Sequence, residues 1–277
     1  MKSDQHYRID YRINNNKKSA EQNHRPVQVE ASPEEIRQLT EDGCLIRPGQ
    51  LDADHVAKLR EAITRVEEAE LGAGVAEHRE GNGLFLRMLQ EKDPAFRDLM
   101  FYSPMVSIAR AVLGPQIAFE VDARIAYRGR PDHLVPWHIH RRVVPDPLPP
   151  FFCYPHGVHC LIYLDEVGPD EGPLVYLPGS HRDHTVDLPF PTTRDLPGQV
   201  VVAPKAGDMV FIHANLWHRT LPTSETCGSR RLLIIGCDPA WLRTDNAGDT
   251  PPERPLTESF RESELPDLRE LAYGFQW

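Results

Sequence analysis

A chain of 277 residues, 40% hydrophobic and 26% charged, is long enough to bury one sizeable core, since a single jelly-roll or barrel domain reaches about 200–250 residues without splitting. Its formal charge of −10 and pI near 5.7 argue against a nucleic-acid binder, which needs a basic face to displace phosphate counterions. Five cysteines without repeated spacing make no disulfide framework, and no apolar run reaches the length of a signal-peptide core or a membrane span, so a cytoplasmic location without membrane contact is expected.

Residues 1–30 are rich in Asn, Lys and Gln, and they read as a mobile polar arm. The segment "ASPEEIRQLTEDG" predicts a helix, with Ser32 as N-cap, Pro33 at the first position, Glu35 closing a capping box and Gly43 past the end. A second helix is predicted over 53–71, where Val56, Leu59, Ile63 and Val66 repeat on one face. "SPMVSIARAVLG" predicts a third, capped by Ser103 and stopped by Gly114.

From residue 117 the period becomes two. In "IAFEVDARIAYR", Ile117, Phe119, Val121, Ala123, Ile125 and Tyr127 share one face, and Glu120, Asp122, Arg124 and Arg128 the other. Further strand-like runs, "VHCLIYL", "PLVYLP", "QVVVAP", "DMVFIH" and "RRLLIIG", are separated by turns such as "PDEG", "PGS" and "KAGD". Helices followed by many short strands predict an antiparallel sandwich or barrel with helices outside it. One domain over 31–243 is expected, with 244–277 as a C-terminal extension of it.

In "WHIH", His138 and His140 stand two apart, so on a strand both project from one face and can reach one ion. Alone, such a pair is more often two hydrogen-bonded imidazoles of a half-buried strand than a metal site. The surrounding segments add weight. "LTEDGCLIRPGQLDADHVAKLREAI", "MVSIARAVLG", "PWHIH", "LIYLDEVGPDEGPLVYLPGSHR", "KAGDMVFIHANLWHRT" and "SRRLLIIG" occur in the order seen in the phytanoyl-CoA dioxygenase family, which the chain resembles from about residue 33 to 243.

The resemblance implies a mainly β fold with flanking helices, a double-stranded β-helix (jelly roll, cupin-like). It also implies an iron(II)- and 2-oxoglutarate-dependent oxygenase that uses O2 on a small-molecule substrate. Carried onto this sequence, it makes His138 the first ligand and His218 of "LWHRT" the distal one. An arginine of the pair Arg230 and Arg231 would grip the far carboxylate of 2-oxoglutarate. Only one of two neighbours on a strand can face inward, and the family pattern favours Arg230, with Arg231 in reserve. A planar guanidinium suits that task because it pairs bidentately with a carboxylate.

His140 departs from the pattern, which has Asp or Glu at that place. Three readings compete: a third neutral ligand giving a three-histidine site, a ring turned away leaving two protein ligands, or a metal-free fold that has lost 2-oxoglutarate chemistry. The first is preferred because imidazole ligates iron, nickel, copper and zinc alike. Three imidazoles would tie metal affinity to pH through the region near 6.5, where unperturbed histidine protonates.

Arg124, Arg128, Arg130, Arg141 and Arg142 read either as a solvated edge or as a positive field that draws in an anionic substrate, with Arg124, Arg128 and Arg141 as pocket candidates. Cys153, His156, His159 and Cys160 invite a zinc reading, but adjacent His159 and Cys160 point to opposite faces of a strand. His181 reads as a turn-stabilising residue and His213 as a reserve ligand. Alternation turns Trp137 and Trp217 away from the proposed metal. Oligomeric state has no readable signal.

Overall fold

The computed structural model describes residues 5–12, 24–79, 83–131, 134–140, 157–183, 185–186, 188–189 and 191–239. Strands β1 (Tyr7–Arg12) and β2 (His24–Val29) pair antiparallel with Tyr7 opposite Val29 and Ile9 opposite Val27. Val27 and Val29 are buried, and Tyr7, Ile9 and Tyr11 pack on the main core. The Tyr11 hydroxyl donates to the carbonyl of Arg110. Over Tyr7–Arg12 and His24–Val29, where the sequence reads as part of a mobile arm, the chain is paired and packed on the core: Tyr7, Ile9 and Tyr11 alternate with Arg8, Asp10 and Arg12, a period-two signal that the polar composition hides.

Helix α1 (Pro33–Glu41) starts as its sequence predicts. The Ser32 hydroxyl accepts from the Glu35 N–H, and the Glu35 carboxylate accepts from the Ser32 N–H. The same carboxylate takes a two-point ion pair from Arg47 on β3 (Cys44–Arg47), which joins helix to sheet. Helix α2 (Ala53–Ala73) is capped by Asp52 and ends at Gly74 in the left-handed region. A 3-10 turn (Leu89–Glu91) and the short α3 (Pro94–Leu99) follow. In α4 (Ser103–Leu113) Ser103 is the first helical residue and Tyr102 holds the cap position without a side-chain bond, so Ser103 is not the cap.

The remaining strands are β4 (Glu77–Arg79), β5 (Gly83–Leu86), β6 (Ile117–Ala126), β7 (Val135–His138), β8 (Val158–Tyr163), β9 (Leu174–Tyr176), β10 (Val200–Val202), β11 (Met209–His213), β12 (His218–Thr220) and β13 (Arg230–Pro239). They form a large antiparallel sheet in the order β3-β11-β8-β13-β6-β5-β4 and a small one in the order β10-β9-β12-β7. Alternation divides the side chains of the large sheet. Val121, Ala123, Cys160, Ile162, Leu233 and Ile235 join the helices in one core, whereas Leu161, Tyr163, Val210, Ile212 and Leu232 meet Leu174 and Val202 of the small sheet in another. The result is the expected jelly roll with helices outside one sheet. Trp137, Val175 and Trp217 cluster on the far side of the small sheet.

The turn of "KAGD" ties this core to α2. Gly207 has φ 91°, and a Cβ there would lie 2.4 Å from the Leu51 carbonyl oxygen, so only glycine fits. The Asp208 carboxylate accepts from the N–H groups of Lys205 and Gly49. No helix among the described residues is long and apolar enough to cross a membrane, and Cys44, Cys160, Cys227 and Cys237 are free and buried.

Candidate metal centre

Pairing of β7 with β12 sets His138 directly opposite His218, with ring centroids 4.2 Å apart. His140 lies two residues on, past the end of β7, where its N–H donates to the Ala214 carbonyl. Its ring centroid is 4.6 Å from that of His218 and 5.4 Å from that of His138. One nitrogen from each of the three rings can be chosen so that all lie within 4.8 Å of one another.

The donor set fits a metal ion. Nδ1 of His138 is 2.9 Å from the Pro136 carbonyl oxygen, and Nδ1 of His218 is 2.8 Å from that of Leu216. A carbonyl can only accept, so each Nδ1 carries the proton and each Nε2 is left with its lone pair, the arrangement that orients histidine ligands in metal sites. Nδ1 of His140 is buried without a hydrogen bond, so no backbone carbonyl orients its ring as in the other two. Burial lowers the pKa of His138 and pushes those of His140 and His218 well below the ordinary histidine value; Arg124 reinforces the shift in all three, and neighbouring imidazoles do so in His140 and His218. All three are therefore neutral near pH 7, as ligation requires.

The two arginines of β13 part company. Arg230 is buried on the inter-sheet side, and its Nη1 donates to the carbonyls of Glu171 and Gly172. Gly172 makes that approach possible: at φ 68° it carries no side chain, and a Cβ would lie 3.2 Å from Arg230 Nη1. Arg231 faces the other way and clamps Asp165, with Nε–Oδ2 at 2.9 Å and Nη2–Oδ1 at 2.8 Å. Arg60 of α2 holds the same carboxylate at 2.9 Å.

Arg124 of β6 faces the same inter-sheet space. It stands opposite Leu232 of β13 and Phe85 of β5, and its guanidinium carbon is 5.2 Å from the Phe85 ring centroid. Arg128 is exposed in the turn after β6, so the structure does not bring it to the histidines. Arg130 is also exposed. Arg141, Arg142, Cys153 and His156 lie outside the described residues. His213 stacks with His181 at 4.6 Å rather than joining the triad, and His181 Nε2 meets the Thr40 carbonyl oxygen at 3.0 Å. Trp137 and Trp217 face away from the site, and Arg219 lies over the Trp137 ring.

Two residues on the inter-sheet face of the large sheet have surroundings that the sequence reasoning does not foresee. His159 of β8 faces the inter-sheet space, with its ring centroid 3.7 Å from that of His140, while Cys160 points into the helix-side core. The run "VHCLIYL" is apolar on both sides, so alternation gives no hint of which face is which. Asp122 is the other: its carboxylate accepts from the Met88 N–H, and Met88 has a left-handed φ of 52°. Burial and neighbouring Glu120 push the Asp122 pKa up to about 7.

Comparisons with known proteins agree with this architecture. The family profile for phytanoyl-CoA dioxygenase matches residues 39–232. Among curated protein sequences none matches the chain. A crystal structure of HygX from Streptomyces hygroscopicus with nickel and 2-oxoglutarate bound superposes at a TM-score of 0.62 with 19% identity, covering 79% of this chain and 94% of that one. HygX has also been solved with iron bound. The non-heme alpha ketoglutarate dependent carbocyclase SnoK from nogalamycin biosynthesis gives 0.60 at 22% identity, over 76% of this chain and 84% of that one. AviO1 from Streptomyces viridochromogenes Tue57 gives 0.57 at 24%, over 76% and 96%. Structural likeness at such identities speaks for the fold, and the profile match, which spans most of the sequence, speaks for descent: the chain belongs to the phytanoyl-CoA dioxygenase family.

Proposed function

We propose that the protein is a non-haem iron(II)- and 2-oxoglutarate-dependent oxygenase that oxidises a small anionic molecule, with His138, His140 and His218 as the metal ligands. The observation that carries this reading is the convergence of three neutral imidazoles on the inter-sheet space that also holds Arg230. Bound there together, iron(II) and 2-oxoglutarate would supply the oxidising power, O2 being consumed as the keto acid is decarboxylated to succinate.

The protein's own groups orient and select. Arg230 is the group that pairs with the distal carboxylate of 2-oxoglutarate. Its Nη1 is already tied to two backbone carbonyls, so its fork has a fixed direction and little entropy is lost on binding. Three neutral ligands leave the charge of a divalent ion uncancelled, and Arg124 adds to it. The pocket is consequently electropositive within an acidic protein, a field that favours anionic ligands.

The test is metal analysis of protein purified without added metal, followed by a succinate assay with iron(II), 2-oxoglutarate and O2. Stoichiometric metal with succinate formation, even uncoupled from a substrate, is the expected result. Protein that binds no metal above background would overturn the reading. Protein that binds metal but forms no succinate would point to a family fold that has left 2-oxoglutarate chemistry behind.

A further inference from the structure

His138 and His218 are each anchored by an Nδ1 hydrogen bond to a backbone carbonyl two residues earlier. His140 differs. It lies beyond the last residue of β7, and its Nδ1 is buried with no hydrogen bond. A ligand without an anchor on its distal nitrogen is free to rotate about its side-chain torsions, and outer groups normally remove that freedom.

What packs against the His140 ring is the ring of His159, edge to face at 60°, with centroids 3.7 Å apart. His159 comes from the middle of the large sheet, where it is paired with Ile212 of β11 and Gly236 of β13. Gly236 offers no side chain, and the His159 ring lies over it, with Cε1 3.7 Å from where a Cβ would stand. A residue held on both sides by neighbouring strands is a rigid support, whereas His140 is attached to a strand end.

We infer that His159 is a positioning residue that braces the His140 ring in its metal-ligating orientation, so that the change from carboxylate to histidine at residue 140 works only with an aromatic ring at residue 159. This inference rests on the three-histidine reading above. It assigns His159 to the support of a ligand and not to the ligand set, in keeping with its absence from the cluster whose nitrogens converge.

The test uses the full-length protein and Co(II), followed by its visible absorption, with Cu(II) electron paramagnetic resonance to count nitrogen ligands. His159→Ala should weaken Co(II) binding by about 10- to 100-fold, the usual loss when an outer-shell partner is removed. His159→Phe, which restores a ring edge but no nitrogen, should return affinity to within about threefold of the original and leave the Cu(II) nitrogen pattern unchanged; the Phe variant also guards against simple misfolding of the Ala variant. Two results would overturn the inference: His159→Ala binding Co(II) as tightly as the parent, or His159→Phe losing one nitrogen from the Cu(II) pattern, which would make His159 a ligand. His138→Ala serves as the control. If it too leaves Co(II) binding unchanged, the metal reading itself has failed; if it abolishes binding while His159→Ala does not, only the brace is rejected.

Discussion

His138 and His218 face each other across one rung of the β7–β12 ladder, so the geometry of this histidine pair is fixed by strand register and not by loop conformation. A slip of one residue would turn one imidazole to the opposite face of the sheet. His140 has no such guarantee, being carried past the strand end, and it governs the first prediction.

Metal affinity should stay level from pH 8 down through 6.5 and fall only in more acid solution, because burial holds all three imidazoles below the ordinary histidine pKa. The structure thus moves the window predicted from unperturbed histidine to lower pH. The metal-free protein should show the linked effect. As pH drops below about 6.5 the unfolded chain takes up protons that the buried rings refuse, and stability declines by a limiting slope of about 1.4 kcal/mol per pH unit for each ring. Urea unfolding at pH 7.5 and 5.5, with and without Zn(II), measures both. His140→Asp should flatten the acid limb of metal binding and strengthen Fe(II) binding, while His140→Ala should weaken it; equal binding by both variants across pH 5 to 8 would make His140 a wall residue.

Arg230 and Arg231 should separate cleanly. Arg230→Lys keeps a charge but loses the fork, and 2-oxoglutarate affinity by calorimetry should drop by about 10- to 100-fold, equivalent to one charge-assisted hydrogen bond. Arg231→Ala breaks the two-point clamp on Asp165 and should lower unfolding free energy by about 1–2 kcal/mol with 2-oxoglutarate affinity unchanged. The converse pattern would exchange their roles.

Asp122 gives a pH effect of the opposite sign from the histidines. Its folded pKa is raised to about 7 from an ordinary 3.8, so its protonated form is the one the fold favours. That contribution is complete below pH ~4 and is lost as pH rises through ~7. Asp122→Asn, which still offers an oxygen to the Met88 N–H, should therefore be more stable than the parent at pH 8 by about 1–3 kcal/mol and closer to it at pH 5. A variant less stable at both values would show that the carboxylate is ionised and paired in the folded protein.

Deleting residues 1–30 should destabilise the protein by about 3 kcal/mol or more, since Val27 and Val29 are each buried and such a side chain contributes about 1.5–3 kcal/mol. Thermal melting of the truncated chain measures this. An unchanged midpoint would restore the picture of a mobile arm.

How much of this was legible depended on whether a pattern had one face or two. The capping box of Ser32 and Glu35 is a local signal and is present atom for atom, and β6 alternates so regularly that its inward arginine could be named in advance. His159 could not, because the strand that carries it is buried on both sides and its period is invisible. The β1–β2 ribbon was hidden by composition: its five apolar side chains sit among enough Asn, Lys and Gln to lower the average. Asp93 followed by Pro94 was a start signal for α3, but a six-residue helix leaves too few turns for its periodicity to register.

His138 and His218 project from the small sheet and Arg230, Arg124 and His159 from the large one, with Leu161, Val210 and Leu174 filling the gap elsewhere. The pocket is therefore a caliper whose jaws are the two sheets and whose setting is the volume of residues that touch no ligand. Facing sheets rest about 10 Å apart, so trimming Leu161 or Leu174 by a methylene should shift how well a dicarboxylate spans from arginine to histidines. Affinity for 2-oxoglutarate would then report on hydrophobic packing some distance from any polar group, and selection acting on that packing could retune the enzyme without altering a single residue of its chemistry.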